Sequence, residues 1–493
     1  MEQSSAVKAG RVKSVLLSPS LLVKESLAGI VTALALIPEV ISFSVISGVD
    51  PKVSLIASFV ICLTLSFIGG RPAMVSAAAG SVALVIGPMV AAQGVNYILP
   101  TVVLAGAIQI LFGVLGLARM MRYIPQAVMT GFVNALGILI FMAQVPHILG
   151  HGPLVWGFFA ITLAIVIGLP RVFTAIPAPL IAIVLLTSIV AYSGISMPNV
   201  GDEGAMSPGL PGFNALQVPV DWHTLSVIWP AAISVALVGL MESLLTAKLV
   251  DEITDTPSNK HRESWGLGIA NIFAAFYGGV PGCAMIGQTI VNVELGKARS
   301  RVSTVIAAVV LLLLVSVFTQ LMAKIPMVVL AAIMVIVSIK TVNWHSLQPK
   351  TLRRLPLSET LIMLFTVGVT VWTSNLALGV VVGAVFATLL FARRISHIIV
   401  AQRRLSPDGQ QVTYRVEGPL FFASSNDLYE HFDYAHDPKQ VIIDLSSAQL
   451  WDASSVSVLD SIEHRYQRHG CKVTLVGLAG RSEAMHQRVS TQR

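Results

Sequence analysis

Runs of about twenty apolar residues recur along most of this chain, and they constrain its fold more than any other feature. A helix needs roughly 20 such residues to cross the hydrocarbon core of a bilayer. Of the 493 residues, 55% are hydrophobic and 12% are charged, whereas a soluble domain carries about 25% charged residues. The sequence therefore predicts an α-helical polytopic membrane protein. Full spans are predicted near 24–48, 50–70, 97–118, 124–142, 153–170, 175–194, 224–250, 259–278, 301–324, 326–341, 358–375 and 377–394.

Two shorter apolar stretches, 80–94 and 287–296, each follow a Gly-Gly-x-Pro motif, which begins at Gly69 in the first case and at Gly278 in the second. Each is predicted to be a half-helix that the chain enters through extended backbone, which brings the total to fourteen membrane segments. Seven segments per half is an odd number, so the two halves must have opposite orientations. Interrupted segments in such a 7+7 inverted repeat point to the substrate site. The predicted repeats span 24–194 and 224–395.

The distribution of charge gives the orientation in the membrane. If the N-terminal segment 1–23 is cytoplasmic and the spans alternate, the longest outside loop, 195–223, has no Lys or Arg. Cytoplasmic loops are enriched in Lys and Arg, so the net charge of +7 reflects topology rather than nucleic-acid binding. Both termini are predicted to be cytoplasmic in a bacterial inner membrane. The predicted inside cations are Arg119, Arg122, Arg171, Lys260, Arg262, Lys297, Arg299, Arg301, Lys350, Arg353, Arg354, Arg393 and Arg394.

The composition changes after Arg394. Strand-like runs and one helical stretch predict a small cytoplasmic α/β domain over 411–493, joined by a linker over 396–410. The three cysteines have neither disulfide nor metal-ligand spacing, so no metal or cofactor is expected. The motifs of metalloproteases, serine hydrolases and P-loop enzymes are missing from the sequence, which argues against an enzyme.

The two half-helices are predicted to meet with their N-termini near the membrane midplane. Each N-terminus offers unpaired backbone N–H groups and a partial positive charge, so two facing ends form an anion site without a fixed cation. Small residues also serve close helix packing in membranes, and for either stretch alone that alternative stays open. The matched pair favours a site. The small residues are Ser76, Ala77, Ala78, Ala79, Gly80 and Ser81 on one side, and Ala284, Gly287 and Thr289 on the other.

Two glutamates, Glu39 and Glu242, lie deep in otherwise apolar spans. An ionised carboxylate at that depth costs roughly 2.5–3.5 kcal/mol on insertion scales, so such a group is suited to bind and release a proton. A permanently protonated or hydrogen-bonded structural role is the alternative for each. Glu242 could instead help to hold a coupling cation, because Thr246 lies one turn further along the same helix face.

Four segments resemble the sulfate permease (SulP) family of anion transporters. They are Ala33–Pro51, Tyr123–Gly150, Ala236–Ala247 and Pro281–Ser300. The C-terminal domain resembles the STAS domain of that family. The resemblance implies a homodimer in which a mobile core (spans 1–4 and 8–11) moves like an elevator against a gate (spans 5–7 and 12–14). It also implies that the anion is contacted by Glu39, Phe43, Ala78, Ala79, Gly287 and Gln288.

This sequence differs from many vertebrate members, which carry Gln in place of Glu39 and Arg in place of Gln288. A titratable acid without a fixed cation favours proton symport of a small anion: bicarbonate, sulfate or a dicarboxylate such as fumarate. An exchanger or channel of the same family, and sodium-coupled bicarbonate uptake, are the alternatives. A nucleobase permease is disfavoured by the STAS-like domain. In that domain, Ser454 and Ser455 occupy either a phosphorylation position or a helix N-cap.

Overall fold

The computed structural model describes residues 12, 15–116, 124–172, 176–204, 212–213, 215–219, 221–396, 399–422, 424 and 428–490. It divides into two compact units, Met1–Ala384 and Val385–Arg493. Arg119, Arg122 and Tyr123, and most of the predicted segment 1–23, lie outside the described residues.

Each of the fourteen predicted membrane segments is a helix, so the fold class predicted from the sequence is confirmed. Among the described residues, eight helices are long and apolar enough to cross a membrane, and four shorter apolar helices accompany them. The helices are α1 Pro19–Ser47, α2 Pro51–Ile68, α3 Gly80–Gln93, α4 Ile98–Val114, α5 Gln126–Gln144, α6 Pro153–Gly168, α7 Ala178–Ser193, α8 Trp222–Thr254, α9 Lys260–Ala275, α10 Ile286–Ile290 (extended by a π-helical turn, Val291–Leu295), α11 Arg301–Ala323, α12 Met327–Thr341, α13 Leu357–Thr373 and α14 Leu376–Ser396.

Local sequence sets where these helices begin and end. Helix α2 begins with Pro51 after Asp50, whose carboxylate accepts a hydrogen bond from the Lys52 backbone N–H at 2.8 Å. Helix α8 begins after Asp221, which accepts from the Thr224 N–H at 2.7 Å. Such caps satisfy backbone donors that have no partner within the helix.

The helices pack into two groups. In the core group, α1–α4 and α8–α11, α4 packs on α9 and α2 packs on α11. In the gate group, α5–α7, α12 and α13, α5 packs on α13 and α12 packs on α6. Helix n of the first repeat corresponds to helix n+7 of the second. The α4–α9 contact therefore corresponds to the α2–α11 contact, and the α5–α13 contact corresponds to the α6–α12 contact, as a 7+7 inverted repeat requires.

Two short strands cross at the centre of the core group. β1 (Ser76–Ala78) pairs antiparallel with β2 (Gly282–Ala284), and the register is symmetric about the Ala77–Cys283 pair. Helix α3 begins two residues after β1, and α10 begins two residues after β2. The half-helices therefore leave this strand pair in opposite directions, with their N-termini close to it.

The second glycine of each Gly-Gly-x-Pro motif permits close packing against a helix of the other repeat. A Cβ on Gly70 would lie 2.1 Å from the Asn259 backbone oxygen at the start of α9. A Cβ on Gly279 would lie 2.3 Å from the Ala57 Cβ on α2. Real Cβ atoms do not approach other atoms so closely, so both positions require glycine.

The C-terminal unit contains a four-stranded sheet in the order β3-β4-β5-β6, in which β3 and β4 are antiparallel and the other pairs are parallel. The prediction of a linker over 396–410 was wrong for residues 400–405, which form β3. Its short, basic sequence Val-Ala-Gln-Arg-Arg-Leu gives little strand signal. The elements are β3 Val400–Leu405, β4 Gln411–Leu420, β5 Gln440–Leu450, α15 Ala453–Arg468, β6 Lys472–Val476 and α16 Gly480–Val489.

A buried carboxylate fixes β3 to the body of this unit. Asp437, whose side chain is fully buried, forms a salt bridge with Arg403 of β3 at 2.7 Å. The hydroxyls of Tyr414 and Tyr466 donate to its other oxygen at 2.7 and 2.6 Å. Burial raises the pKa of Tyr466, and its bond to Asp437 raises it further, so this hydroxyl stays protonated and keeps donating.

The serines singled out in this unit lie at the start of α15, but neither is its N-cap. Asp452 is the cap and accepts from the Ser455 N–H at 3.0 Å. Ser455 is buried, and its hydroxyl donates to the Asp452 carbonyl at 2.6 Å. Ser454 is exposed.

Candidate functional site

A cavity of about 570 Å³ lies between the core group and the gate group. Its core wall consists of the middle of α1, the first turns of α3 and α10, and α8 around Glu242. Its gate wall consists of α5 and α12 and of the segments where α6 ends and α7 begins. The cavity continues to the last turn of α12, where Lys340 is exposed.

The N-termini of both half-helices face this cavity without a side-chain cap. Ala79 and Met285 precede α3 and α10 in extended conformation, and no described side chain caps either helix there. A Cβ on Gly287 would meet no heavy atom within 4 Å, so this residue borders open space. Gly80 is covered, because its Cβ would lie 2.6 Å from the Phe43 ring. The cavity thus contains two positive helix ends, of which the second is the more open.

Glu39 projects from α1 into the cavity and keeps an intermediate exposure. The side-chain amide of Gln288, in the first turn of α10, donates a hydrogen bond to its carboxylate. Glu242 and Lys340 line the same cavity, and their charges act on the Glu39 carboxylate with opposite signs. Glu39 is therefore a titratable group placed where an entering anion would come close to it.

Glu242 is more enclosed and has more partners. It is 8% exposed, and one carboxylate oxygen accepts from the Ser81 hydroxyl and from the Cys283 thiol at 3.1 Å. One turn further on, the Thr246 hydroxyl donates to the Glu242 backbone carbonyl at 2.8 Å, with the Ala284 carbonyl at 3.4 Å. The Glu242 carboxylate therefore links α8 to the first turn of α3 and to β2.

The structure brings most of the predicted site residues together. Six of them are buried behind the cavity wall rather than on it: Ser76, Ala77, Ala78, Thr246, Ala284 and Thr289. The Ala78 N–H donates to the Ser58 hydroxyl at 3.1 Å, and the Thr289 hydroxyl accepts from the Val75 N–H at 3.0 Å. The residues that line the cavity are Glu39, Phe43, Ala79, Gly80, Ser81, Glu242, Gly287 and Gln288.

Sequence reasoning did not single out two features of this region. Lys340 lines the cavity from the gate side, but a lysine at the end of a span gives no sequence signal for a cavity. Asn271 of α9 holds β2: its side chain accepts from the Gly282 N–H at 2.8 Å and donates to the Gly282 carbonyl at 3.1 Å. Gln109 of α4 accepts from the same Asn271 amide at 3.0 Å. The available sequence signal for Asn271 was a polar residue within a weakly apolar span, which indicates a buried hydrogen-bonding role.

Comparisons with known proteins agree with this architecture. Residues 22–158 and 153–366 match the Sulfate permease family, and residues 402–492 match the STAS domain. The Bacillus subtilis protein named "Putative sulfate transporter YbaR" is 44% identical over 94% of this chain and 96% of its own length. The bicarbonate transporter BicA of Picosynechococcus is 25% identical over 92% of this chain and 88% of its own length. The structure of SLC26A9 has the same fold, with a TM-score of 0.80 at 18% identity over 99% of this chain and 90% of that one.

The family match and the relatives make this chain a membrane anion transporter and not an enzyme. The chain belongs to the sulfate permease family and carries a C-terminal STAS domain.

Proposed function

We propose that this protein is a secondary active transporter that imports a small anion together with a proton. The substrate class is sulfate, bicarbonate or a dicarboxylate such as fumarate. The names of YbaR and BicA support the first two members of this class. A cavity of about 570 Å³ has room for any of the three.

The anion binds between the two half-helix ends, where uncapped backbone N–H groups and the helix dipoles attract negative charge. Gly287 leaves one of these ends open to the cavity. Within the described lining, the half-helices supply no cation of their own, so attraction comes from the backbone.

Glu39 couples the anion to a proton, and its position on the cavity wall is the observation that carries this proposal. An ionised Glu39 would repel the entering anion, so binding favours the protonated acid. The anion and the proton then occupy the site together and leave it together, which gives symport.

Movement of the core group against the gate group provides alternating access. Both half-helices and both glutamates belong to the core group, whereas the opposite wall belongs to α5, α6, α7 and α12. A displacement of the core as a unit would carry the site across the membrane without taking it apart. We further propose a homodimer in a bacterial inner membrane, with both termini in the cytoplasm, as the loop cations favour.

The test is uptake of labelled sulfate, fumarate and bicarbonate by purified protein in liposomes, with and without an inward proton gradient. The wild type should accumulate at least one of these anions in response to the gradient. Glu39→Gln, which resembles the protonated acid, should still bind the anion but should lose the stimulation. Accumulation by Glu39→Gln that still follows the proton gradient would contradict the assignment.

Sodium-coupled uptake is a second candidate, because the Glu242 backbone carbonyl, the Thr246 hydroxyl and the Ala284 carbonyl lie near one another. Oxygen ligands of this kind suit a hard cation. Replacing sodium with choline in the same liposomes distinguishes the two: proton symport should be unaffected, and sodium symport should cease. Anion movement that neither gradient drives would indicate an exchanger or a channel.

A further inference from the structure

The described lining of the cavity contains three ionisable side chains, Glu39, Glu242 and Lys340. Two are acids on the core group. The third is a cation on α12 of the gate group, in the last turn of that helix. An anion transporter whose core wall carries two acids must offset their repulsion while the anion occupies the cavity, and Lys340 is positioned to do this.

Lys340 lies at the exposed end of the cavity, and the half-helix ends lie at its buried end. It is exposed, whereas Gln288 and Ser81 at the helix ends are buried. An anion that moves between this end of the cavity and the half-helix ends therefore passes Lys340. In a cavity with apolar walls, such as those formed here by Leu136 and Ile336, a single charge raises the local concentration of counter-ions.

We propose that Lys340 is the specificity-determining cation of this transporter, which concentrates small anions in the cavity while the cavity is open towards the end of α12. Because Lys340 belongs to the gate group, its attraction for anions in the site depends on conformation. Lys340 acts on the site only when the core group lies beside α12. The inference rests on anion transport by the family and not on proton symport.

A simpler role for Lys340 is to offset the dipole at the C-terminus of α12, as cations do near helix ends. Lys324 offers a matched control because it is the C-cap of the preceding helix, α11, and does not line the cavity. A general helix-end effect would appear equally at both lysines, whereas an effect on the cavity would appear at Lys340 alone.

The experiment measures local anion concentration without needing the substrate. A cysteine reporter, Val133→Cys, is placed on the half-buried α5 wall of the cavity in the full chain, reconstituted in nanodiscs. Its reaction rates with sulfonatoethyl methanethiosulfonate (anionic) and trimethylammonioethyl methanethiosulfonate (cationic) are compared. The native Cys62, Cys283 and Cys471 are buried, and their background is measured in the chain without the reporter. Ile290→Cys, on α10, is a second reporter if the first folds poorly.

Lys340→Gln should lower the ratio of the anionic to the cationic rate by about tenfold, and high salt should reduce this difference. Lys340→Arg should keep the ratio of the wild type, and Lys324→Gln should leave it unchanged. An unchanged ratio in Lys340→Gln, or an equal fall in Lys324→Gln, would overturn the proposal.

Discussion

Glu39 and Glu242 occupy corresponding places, since each lies in the first helix of its repeat, and each is bonded by the half-helix of the other repeat. Gln288 of α10 donates to Glu39, and Ser81 of α3 donates to Glu242. The difference lies in enclosure. Both acids line the cavity, but Glu242 has a second donor in Cys283 and is 8% exposed, whereas Glu39 is more exposed.

The comparison separates what backbone symmetry provides from what side chains provide. The symmetric strand pair places two helix ends together whatever side chains they carry. The side chains then distinguish the two acids. A carboxylate with two donors and little exposure is satisfied in place, as buried polar groups usually are. A carboxylate with a single side-chain donor and greater exposure to the cavity can exchange a proton with groups in that cavity.

The largest expected effect comes from filling the open helix end. Gly287→Trp should abolish anion binding, because the indole would occupy the space that borders this residue. Binding of labelled sulfate or fumarate to purified protein measures the effect, and size-exclusion chromatography checks the fold. Gly287→Ala is the matched control and should bind normally. If folded Gly287→Trp transports at the wild-type rate, the site lies elsewhere.

The next test compares the same substitution, Glu to Gln, at the two acids. Glu242→Gln should keep the response to a proton gradient that Glu39→Gln loses. It should lower the free energy of unfolding by about 1.5–3 kcal/mol, the usual contribution of hydrogen bonds to a charged group. Thermal melting in detergent, beside uptake in liposomes, measures both quantities. If Glu242→Gln loses the response and Glu39→Gln keeps it, coupling belongs to Glu242.

The sequence predicted the membrane helices well because span length and the Gly-Gly-x-Pro interruptions are local signals. The resemblance to the sulfate permease family predicted that Glu39 and Gly287 contact the same anion, and both residues line the cavity. The sequence did not predict that Ser81 and Gln288 bond to the acids of opposite repeats, since that depends on rotation of helices about their axes. It also missed strand β3, whose pairing is fixed by a distant residue, Asp437.

The Gly-Gly-x-Pro motifs that precede the half-helices should differ in their tolerance of one added methyl group. In Gly70→Ala the new Cβ would meet the Asn259 backbone oxygen, which cannot move without the start of α9. In Gly279→Ala it would meet the Ala57 Cβ, and α2 would have to shift. Each should lower the melting temperature, by a destabilisation of about 1–3 kcal/mol, with Gly70→Ala at least as severe. Gly157→Ala on α6, which has open space around it, is the control. Unchanged melting in both variants would contradict the packing role of the motif.

The smallest expected effect on binding comes from removing the part of the C-terminal unit that follows α14. Its strands pair with one another, and the bonds of Arg403, Tyr414 and Tyr466 to Asp437 lie within it. The cavity is lined by residues between 35 and 341, so a chain that ends after residue 398 keeps α14 and every lining residue. Its anion affinity should remain within about twofold of the wild type, as expected when a separately packed domain is removed. The prediction concerns binding alone and allows the transport rate and the expression level to fall. Asp437→Asn in the full chain is the matched control, because it disturbs the C-terminal unit without deleting it. Binding that disappears from a well-folded truncated chain, but persists in Asp437→Asn, would mean that the C-terminal unit takes part in forming the site.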